Sequence, residues 1–206
     1  GNHDVLRFIS EGSEGYVNAC QDGQIAHAPA PSDPWAYESL RLAWTFLFTM
    51  PGRPMVYYGD ELGMPGRGDP DNRQPMWWHA PDFESVTSVD DLAAQVAPQQ
   101  ASTLRHVAAL AKARRDHPAL YSGGWLEWWR EGDVFGAART SGNDHALVLL
   151  NRSFDARTLT NGVSFAGLPE GTYTDVLTGV TFSTAGDVLT VDVPARGSRV
   201  LVSGNP

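Results

Sequence analysis

The 206-residue sequence is poor in cysteine, in basic residues and in long apolar runs, and each shortage excludes a class of protein. Because Cys20 is the only cysteine, the chain forms no internal disulfide and fits neither a structural zinc site nor a thiol redox pair. Fifteen Lys and Arg against twenty-four Asp and Glu give a net charge of −9, which argues against a nucleic-acid partner. The most apolar run, residues 42–50, is shorter than the about 20 residues that cross a bilayer, so we predict a soluble protein without a membrane partner.

Apolar and aromatic residues, by contrast, are plentiful. They make up 42% of the chain and include seven Trp, eight Phe and six Tyr, which excludes intrinsic disorder by composition. A chain of this length accommodates one large domain or two small ones. The sequence therefore predicts a globular protein with a well-packed core.

A long helix is predicted after a loop-like N-terminal segment. Residues 1–34 are rich in Gly, Ser, Asp and Pro and show no sustained period. Asp33 followed by Pro34 is a typical helix start, since a carboxylate caps the first turn and proline fits its geometry. Residues 35–50 are apolar nearly all round, which predicts a helix buried on most sides, and Pro51 ends it.

A strand and a second helix are predicted next. Residues 54–58, within PMVYYG, form a short apolar run that favours a parallel strand buried on both faces. A helix is expected from about Ser102 to Pro118, with apolar and basic residues on opposite faces. This order is typical of an α/β protein. Because one strand and two helices cannot close a parallel sheet, we interpret residues 1–118 as the end of a larger domain.

The pattern changes after Ser122, where no helical period remains. Short runs of alternating character replace it, separated by turn signals such as SGND and PEG. The runs are WLEWW, VFGAAR, HALVLLNRS, TYTDVL and DVLTVDV. This spacing indicates an antiparallel sandwich of about 80 residues, which places a boundary near residue 120.

Two groups of polar residues are candidates for chemistry. His3 and Asp4 are adjacent on a loop, where such a pair can orient a sugar hydroxyl, hold a metal or act as acid and base. The alternative is a solvated loop end. Asp69 and Arg73 lie in the loop after the predicted strand, at the edge of a parallel sheet where active sites collect. They could pair and present both charges to a polyol, or the pair could only stiffen the loop.

Other residues near this loop suggest further readings. The loop is rich in oxygen ligands for calcium, but it lacks the alternation and terminal Glu of an EF-hand. Asp60 and Glu61 are sequence neighbours at a strand end, so they point apart and are poor candidates for facing one substrate bond. Trp77 and Trp78 are candidates for stacking on a sugar ring. We expect the remaining early tryptophans, Trp35 and Trp44, to lie in the core.

Three segments in fixed order carry a resemblance to a known family. GNHDVLRF, LFTMPGRPMVYYGDELGMPG and GDPDNRQPMWW resemble the end of the catalytic barrel of the α-amylase family, glycoside hydrolase family 13. The resemblance covers essentially the whole chain. It implies an α/β plus all-β fold, in which residues 1–120 are the incomplete C-terminal part of a (β/α)8 TIM barrel. Residues 121–206 would then form the antiparallel C-terminal β-sandwich domain.

The resemblance also implies roles for the candidate residues. Members of the family cleave α-glucosidic bonds with retention, using an aspartate nucleophile and a glutamate acid/base. Asp4 resembles the third carboxylate, which stabilises the transition state, while His3, Asp69 and Arg73 would bind the same glucose. The segments carrying the nucleophile and the acid/base are absent, so we expect the chain to be inactive alone. Its implied partners are an α-glucan oligosaccharide or polysaccharide and the remainder of the catalytic barrel.

The resemblance leaves three functions open. The pattern YYGDE, GDPDNR and PMWW favours hydrolases of maltodextrins and cyclodextrins, although transglycosylases share these parts. A non-catalytic carbohydrate-binding or partner protein on an amylase-like barrel is the third, but such relatives typically lose catalytic carboxylates and Asp4 is intact. No cofactor is expected for these residues, and a structural calcium elsewhere in the full enzyme is compatible with the family.

Overall fold

The computed structural model describes residues 2, 4–10, 20–21, 24–25, 28–76, 82 and 84–204. The chain divides into two compact units. Unit 1 comprises Gly1–Arg41 and Met55–Ala108, and unit 2 comprises Leu42–Pro54 and Ala109–Pro206. Each of the two long helices contributes residues to both units.

Helices dominate the first 122 residues. A short antiparallel pair, β1 (Cys20–Gln21) and β2 (Gln24–Ile25), precedes them. The described helices with defined bounds are α1 (Pro34–Thr49), α2 (Val89–Ala93), α3 (Pro98–Asp116) and α4 (Pro118–Ser122), and residues 8–10, ahead of β1, are also helical. 3₁₀ turns form at Asp60–Leu62 and Asp71–Arg73. The predicted helices are confirmed, although α3 begins four residues earlier than expected because Pro98 is accommodated in its first turn.

The long helix α1 is less buried than its composition predicts. Trp44 is buried as expected, together with other residues spaced three or four apart along one face. Phe46, however, is 52% exposed, and Trp35 is also exposed. The prediction of a helix buried on most sides, with Trp35 in the core, is therefore wrong. One neighbouring element buries only one face of a helix, so apolar residues on the opposite face are buried only if a second element packs against them.

Residues 54–58 do not form the buried parallel strand that their apolar sequence predicts. They are not assigned to a strand, and Met55 and Val56 are 64% and 45% exposed. A strand buried on both faces needs hydrogen-bonded neighbours and covering layers. Within the described part of the chain no strand pairs with this segment, so no ladder forms there.

Unit 1 has a small apolar core built around α2 and α3. Its buried members are Leu62, Ala93, Ala101 and Leu104, with Met76, Leu92 and Val96 partly buried against them. The N-terminus of α2 is capped by Ser88, whose Oγ accepts from the backbone N–H of Asp91 at 3.1 Å. This core supports the loop that follows the first 3₁₀ turn.

Unit 2 contains two antiparallel sheets after the last helix. Six strands form one sheet in the order β3-β4-β5-β10-β7-β8, and β6 pairs with β9 in the other. The strands are β3 (Gly124–Glu131), β4 (Val134–Ser141), β5 (Asp144–Asn151), β6 (Arg157–Gly162), β7 (Thr172–Asp175), β8 (Thr181–Ser183), β9 (Val188–Val193) and β10 (Gly197–Ser203). The five predicted strands are confirmed, while β6, β8 and β10 were not predicted.

The two sheets share one apolar core. Leu147 and Leu149 of β5 and Leu201 of β10 contribute from the larger sheet, and Leu189 and Val191 of β9 contribute from the smaller one. All five are fully buried. Along β9 the side chains alternate strictly between exposed and buried, as the period-2 pattern of the sequence predicts.

Candidate active site

In the loop at residues 67–74 some polar side chains are buried and others are exposed. Asp71 is buried, and its carboxylate accepts from the backbone N–H groups of Arg67 at 2.7 Å and Ala28 at 3.0 Å. The side chain of Gln74 also donates to it. Asp71 therefore serves to fold the loop, and it leaves the exposed residues on either side to face solvent.

Asp69 and Arg73 are the exposed residues of this loop. Arg73 Nε lies 3.0 Å from Asp69 Oδ1, with the two side chains 46% and 58% exposed respectively. The predicted ion pair thus forms. An exposed pair stabilises a fold by no more than about 1 kcal/mol, so stiffening of the loop is a minor effect. Both groups can offer hydrogen bonds to a polyol.

Asp4 is exposed, and its backbone N–H donates to Asn2 Oδ1 at 2.7 Å. This local bond lies in the turn that contains Asp4. His3, Trp77 and Trp78, the other residues predicted to contact sugar, lie outside the described residues.

The segments that carry the predicted residues are in direct contact. Asn72 Nδ2 donates to the backbone oxygen of Val5 at 2.9 Å, although 67 positions separate them in the sequence. Asp4 and Arg73 are each the immediate chain neighbour of one of these residues. The phenolic group of Tyr58 donates to the backbone oxygen of Gln74 at 3.1 Å, which joins the same loop to the end of residues 54–58. These contacts hold the segments of Asp4 and Arg73 against each other.

Arg7 joins these segments from within, and sequence reasoning did not single it out. The side chain is fully buried, and Nε donates to the backbone oxygen of Asn72 at 3.1 Å. Nη1 donates to the backbone oxygen of Tyr58 and to Asp60 Oδ1, the latter at 2.9 Å. The guanidinium carbon lies 4.5 Å from the ring centroid of Tyr57. The available signal was a single charged residue within the apolar run VLRF.

A glycine allows the segment of Arg7 to approach the loop. The backbone N–H of Arg7 donates to the oxygen of Gly66 at 2.9 Å, and the N–H of Gly66 donates to Ser10 Oγ at 2.9 Å. A Cβ atom at Gly66 would lie 2.7 Å from Asn72 Cα. Because backbone atoms cannot give way at that distance, any larger residue would push the two segments apart.

Asp60 and Glu61 begin a 3₁₀ turn instead of following a strand, and they occupy different surroundings. Asp60 is buried and paired with Arg7. Glu61 Oε2 is buried and has no hydrogen-bond partner within the described ranges. Burial raises the pKa of the Glu61 carboxyl above its usual range, and the nearby charge of Asp60 adds to the rise. A hydrogen bond between the carboxyl and the backbone of Glu61 itself acts in the opposite direction.

The substitution Glu61→Gln should change how stability depends on pH. With a raised pKa, the folded chain holds a proton at Glu61 where the unfolded chain has lost it, so stability falls as pH rises above the ordinary value of 4.5. Glutamine removes this loss. Thermal melts of both proteins between about pH 4 and about pH 8 should show the variant gaining relative stability with pH. A constant difference in melting temperature across this range would contradict the assignment.

Metal ligands do not cluster in the described part of the chain, where no three His, Cys, Asp or Glu side chains group together. Its helices are also too short or too polar to cross a membrane.

The family model of the α-amylase catalytic domain matches residues 1–123. That range contains Asp4, Asp69 and Arg73. The chain belongs to the α-amylase family.

Individual relatives agree with this membership. A cyclomaltodextrin glucanotransferase of Geobacillus stearothermophilus is 32% identical over 197 residues, covering 96% of this chain and 21% of the relative. An α-amylase of Niallia circulans is 30% identical over 206 residues, covering 95% of this chain and 30% of the relative. The crystal structure of an α-amylase from Geobacillus thermoleovorans complexed with acarbose has a TM-score of 0.71 at 21% identity, covering 98% of this chain and 37% of that one.

These values define what the chain shares with its relatives. The structural likeness shows the fold, and the solved neighbours of the catalytic domain are TIM barrels. The chain spans less than a third of the length of both curated relatives. It therefore covers only part of the catalytic domain of this family.

Proposed function

We propose that the chain is part of a retaining glycoside hydrolase that cleaves α-glucosidic bonds in maltodextrins or cyclodextrins. The observation that carries the proposal is the match of the α-amylase catalytic-domain model to residues 1–123. The contact between Asn72 and Val5 supports it, since it joins the segments of Asp4 and Arg73. Acarbose in the solved neighbour supports a glucan-like substrate.

In this proposal Asp4 stabilises the transition state. Cleavage with retention develops positive charge on the sugar ring, and a fixed carboxylate beside that charge lowers the barrier. The Asp69–Arg73 pair, with its exposed charges, would hold hydroxyls of the same glucose, and His3 would contact it as well. The nucleophile and the acid/base would come from residues outside these 206, so the chain alone would be inactive.

The proposed domain organisation follows the change in secondary structure. Helix α4 ends at Ser122 and β3 begins at Gly124, which supports a barrel part in residues 1–120 and a β-sandwich in residues 121–206. The shared core of the two sheets also supports a sandwich. We propose no cofactor for these residues, and a structural calcium would lie elsewhere in the full enzyme.

Transglycosylation is a second candidate because the relative at 32% identity is a cyclomaltodextrin glucanotransferase. Both reactions share a covalent glycosyl-enzyme intermediate and differ in whether water or a sugar hydroxyl attacks it. Asp4, Asp69 and Arg73 would serve either reaction, because they would contact the sugar on which both reactions develop positive charge and not the attacking group.

The test is an assay of the full-length protein with maltoheptaose and β-cyclodextrin, with products separated by chromatography. Shorter linear maltooligosaccharides are expected from both substrates, and none from the 206-residue chain alone. Longer or cyclic products from maltoheptaose would favour transglycosylation instead. Binding of maltoheptaose without any product would overturn the enzymatic proposal and favour a carbohydrate-binding protein.

A further inference from the structure

The side chain of Arg7 lies at the junction of three parts of unit 1. Its donors reach the backbone oxygens of Asn72 and Tyr58 and the carboxylate of Asp60. Asp4 lies three residues before Arg7 along the chain. A single guanidinium therefore connects the segment of Asp4 with the loop that ends in Arg73.

The chemistry of this junction is specific to arginine. A guanidinium is planar and presents its donors in a fixed fork, so several acceptors set its position and orientation together. The rings of Tyr57 and Tyr58 further confine it, with centroids 4.5 Å and 4.8 Å from Cζ. A lysine ammonium lacks the fork and cannot hold the same acceptors in one plane.

Stability alone is a poor explanation for this arrangement. Arg7 is fully buried, and its Nη2 has no hydrogen-bond partner in the described portion of the chain. Burying a cation with an unsatisfied donor costs free energy, and apolar replacements at such sites are often neutral or favourable. The feature that an apolar side chain could not supply is the fixed geometry between the segments.

We infer that Arg7 is a positioning residue, which holds the carboxylate of Asp4 in register with the Asp69–Arg73 pair. This inference rests on the proposed function. Transition-state stabilisation depends steeply on placement, and a shift of about 1 Å can cost about a hundredfold in rate. Loosening Arg7 therefore lowers kcat through Asp4, without Arg7 touching the substrate.

The test is a double-mutant cycle in the full-length protein, with kcat and KM measured on maltoheptaose. Arg7→Lys alone should lower kcat by roughly 10- to 100-fold. In an Asp4→Asn background, where the electrostatic contribution is already lost, the same change should lower kcat by no more than about twofold. A merely structural arginine would produce the same fold-loss in both backgrounds, and that outcome would overturn the inference.

Two further variants protect the test against simple misfolding. Asp60→Asn keeps the volume but removes the carboxylate that pairs with Arg7, and it should show the same non-additive pattern with Asp4→Asn. Arg139→Lys is the matched control, because Arg139 is also fully buried and donates to backbone oxygens, those of Gly123 and Gly124. It should lower the melting temperature and leave kcat at the wild-type value when assays are run below the melt.

The cycle also separates the inference from the proposed function. If the full-length protein forms no product from maltoheptaose, the proposed function fails. If it does, but Asp4→Asn alone leaves kcat near the wild-type value, the role of Asp4 is wrong, and the positioning role of Arg7 fails with it. A third outcome is that Asp4→Asn lowers kcat as expected while the effects of Arg7→Lys and of Asp60→Asn each add to that of Asp4→Asn. In that case the proposed function stands and the positioning role of Arg7 is wrong.

Discussion

Replacing Asp4 by asparagine in the full-length protein should lower kcat by about a hundred- to a thousandfold while KM changes little. Asparagine keeps the size of the side chain and removes its charge. A carboxylate that stabilises a cationic transition state contributes most where positive charge develops, so its loss appears in kcat. The structure supports this role because Asp4 is exposed and lies next to the contact between Val5 and Asn72.

The measurement is steady-state cleavage of maltoheptaose, with folding checked by thermal melt. Asp90→Asn is a suitable control, because this exposed carboxylate pairs with Arg105 at 2.9 Å, outside the proposed site. The control should retain wild-type kcat. An Asp4→Asn protein with near-normal kcat would remove Asp4 from the catalytic residues.

Arg73→Ala in the same assay should have a different signature. Its hydroxyl contacts would exist already in the bound substrate, so KM should rise as well as kcat fall. The comparison separates a residue that acts in the transition state from one that binds in both states.

Local sequence signals predicted much of the secondary structure. Asp33 and Pro34 located the start of α1, and the strict alternation of β9 identified a strand with one buried face. Strand β10 was missed because Arg199 and Ser198 interrupt its apolar pattern. It forms nonetheless because β5 and β7 flank it, and pairing across more than 20 residues leaves no local signal.

In the candidate site, too, local contacts were predictable from the sequence and long-range contacts were not. Asp69 and Arg73 are four residues apart, so their ion pair was predictable from a short loop. Arg7 was not, because its partners lie 51 to 65 positions away and are mainly backbone oxygens, which every sequence contains. The failed strand at residues 54–58 has a related cause, since apolar character predicts burial only if a neighbouring strand is present to supply it.

In unit 2, Arg139 is expected to have a large effect on the free energy of unfolding. Arg139 is fully buried and donates to the backbone oxygens of Thr49, at the end of α1, and of Gly123 and Gly124. The last carbonyl groups of a helix have no intrahelical partner, so this arginine satisfies one of them. Burial and the nearby charge of Arg114 lower the pKa of Arg139, and both oppose the charged form.

Arg139→Met should lower the free energy of unfolding by about 2 kcal/mol, because the buried carbonyl group of Thr49 and the less buried ones of Gly123 and Gly124 lose their donor, and each such hydrogen bond contributes about 0.5–1.5 kcal/mol. Relief of desolvation and of repulsion from Arg114 acts in the opposite direction, but methionine offers the carbonyls no replacement donor. Urea unfolding followed by tryptophan fluorescence measures the change. Arg130→Met on the neighbouring strand is the matched control, since Arg130 is exposed and paired with Glu127, and its loss should cost less than about 1 kcal/mol.

The stability of Arg139→Met shows which of two opposing contributions is larger, the hydrogen bonds to the carbonyls or the cost of burying the cation near Arg114. If the carbonyl bonds dominate, Arg139→Met is destabilised well beyond Arg130→Met. If burial of the cation and its repulsion from Arg114 dominate, Arg139→Met matches or exceeds the wild-type stability. In that case the three carbonyls must find other donors, such as water, and the guanidinium would contribute no net stability to unit 2.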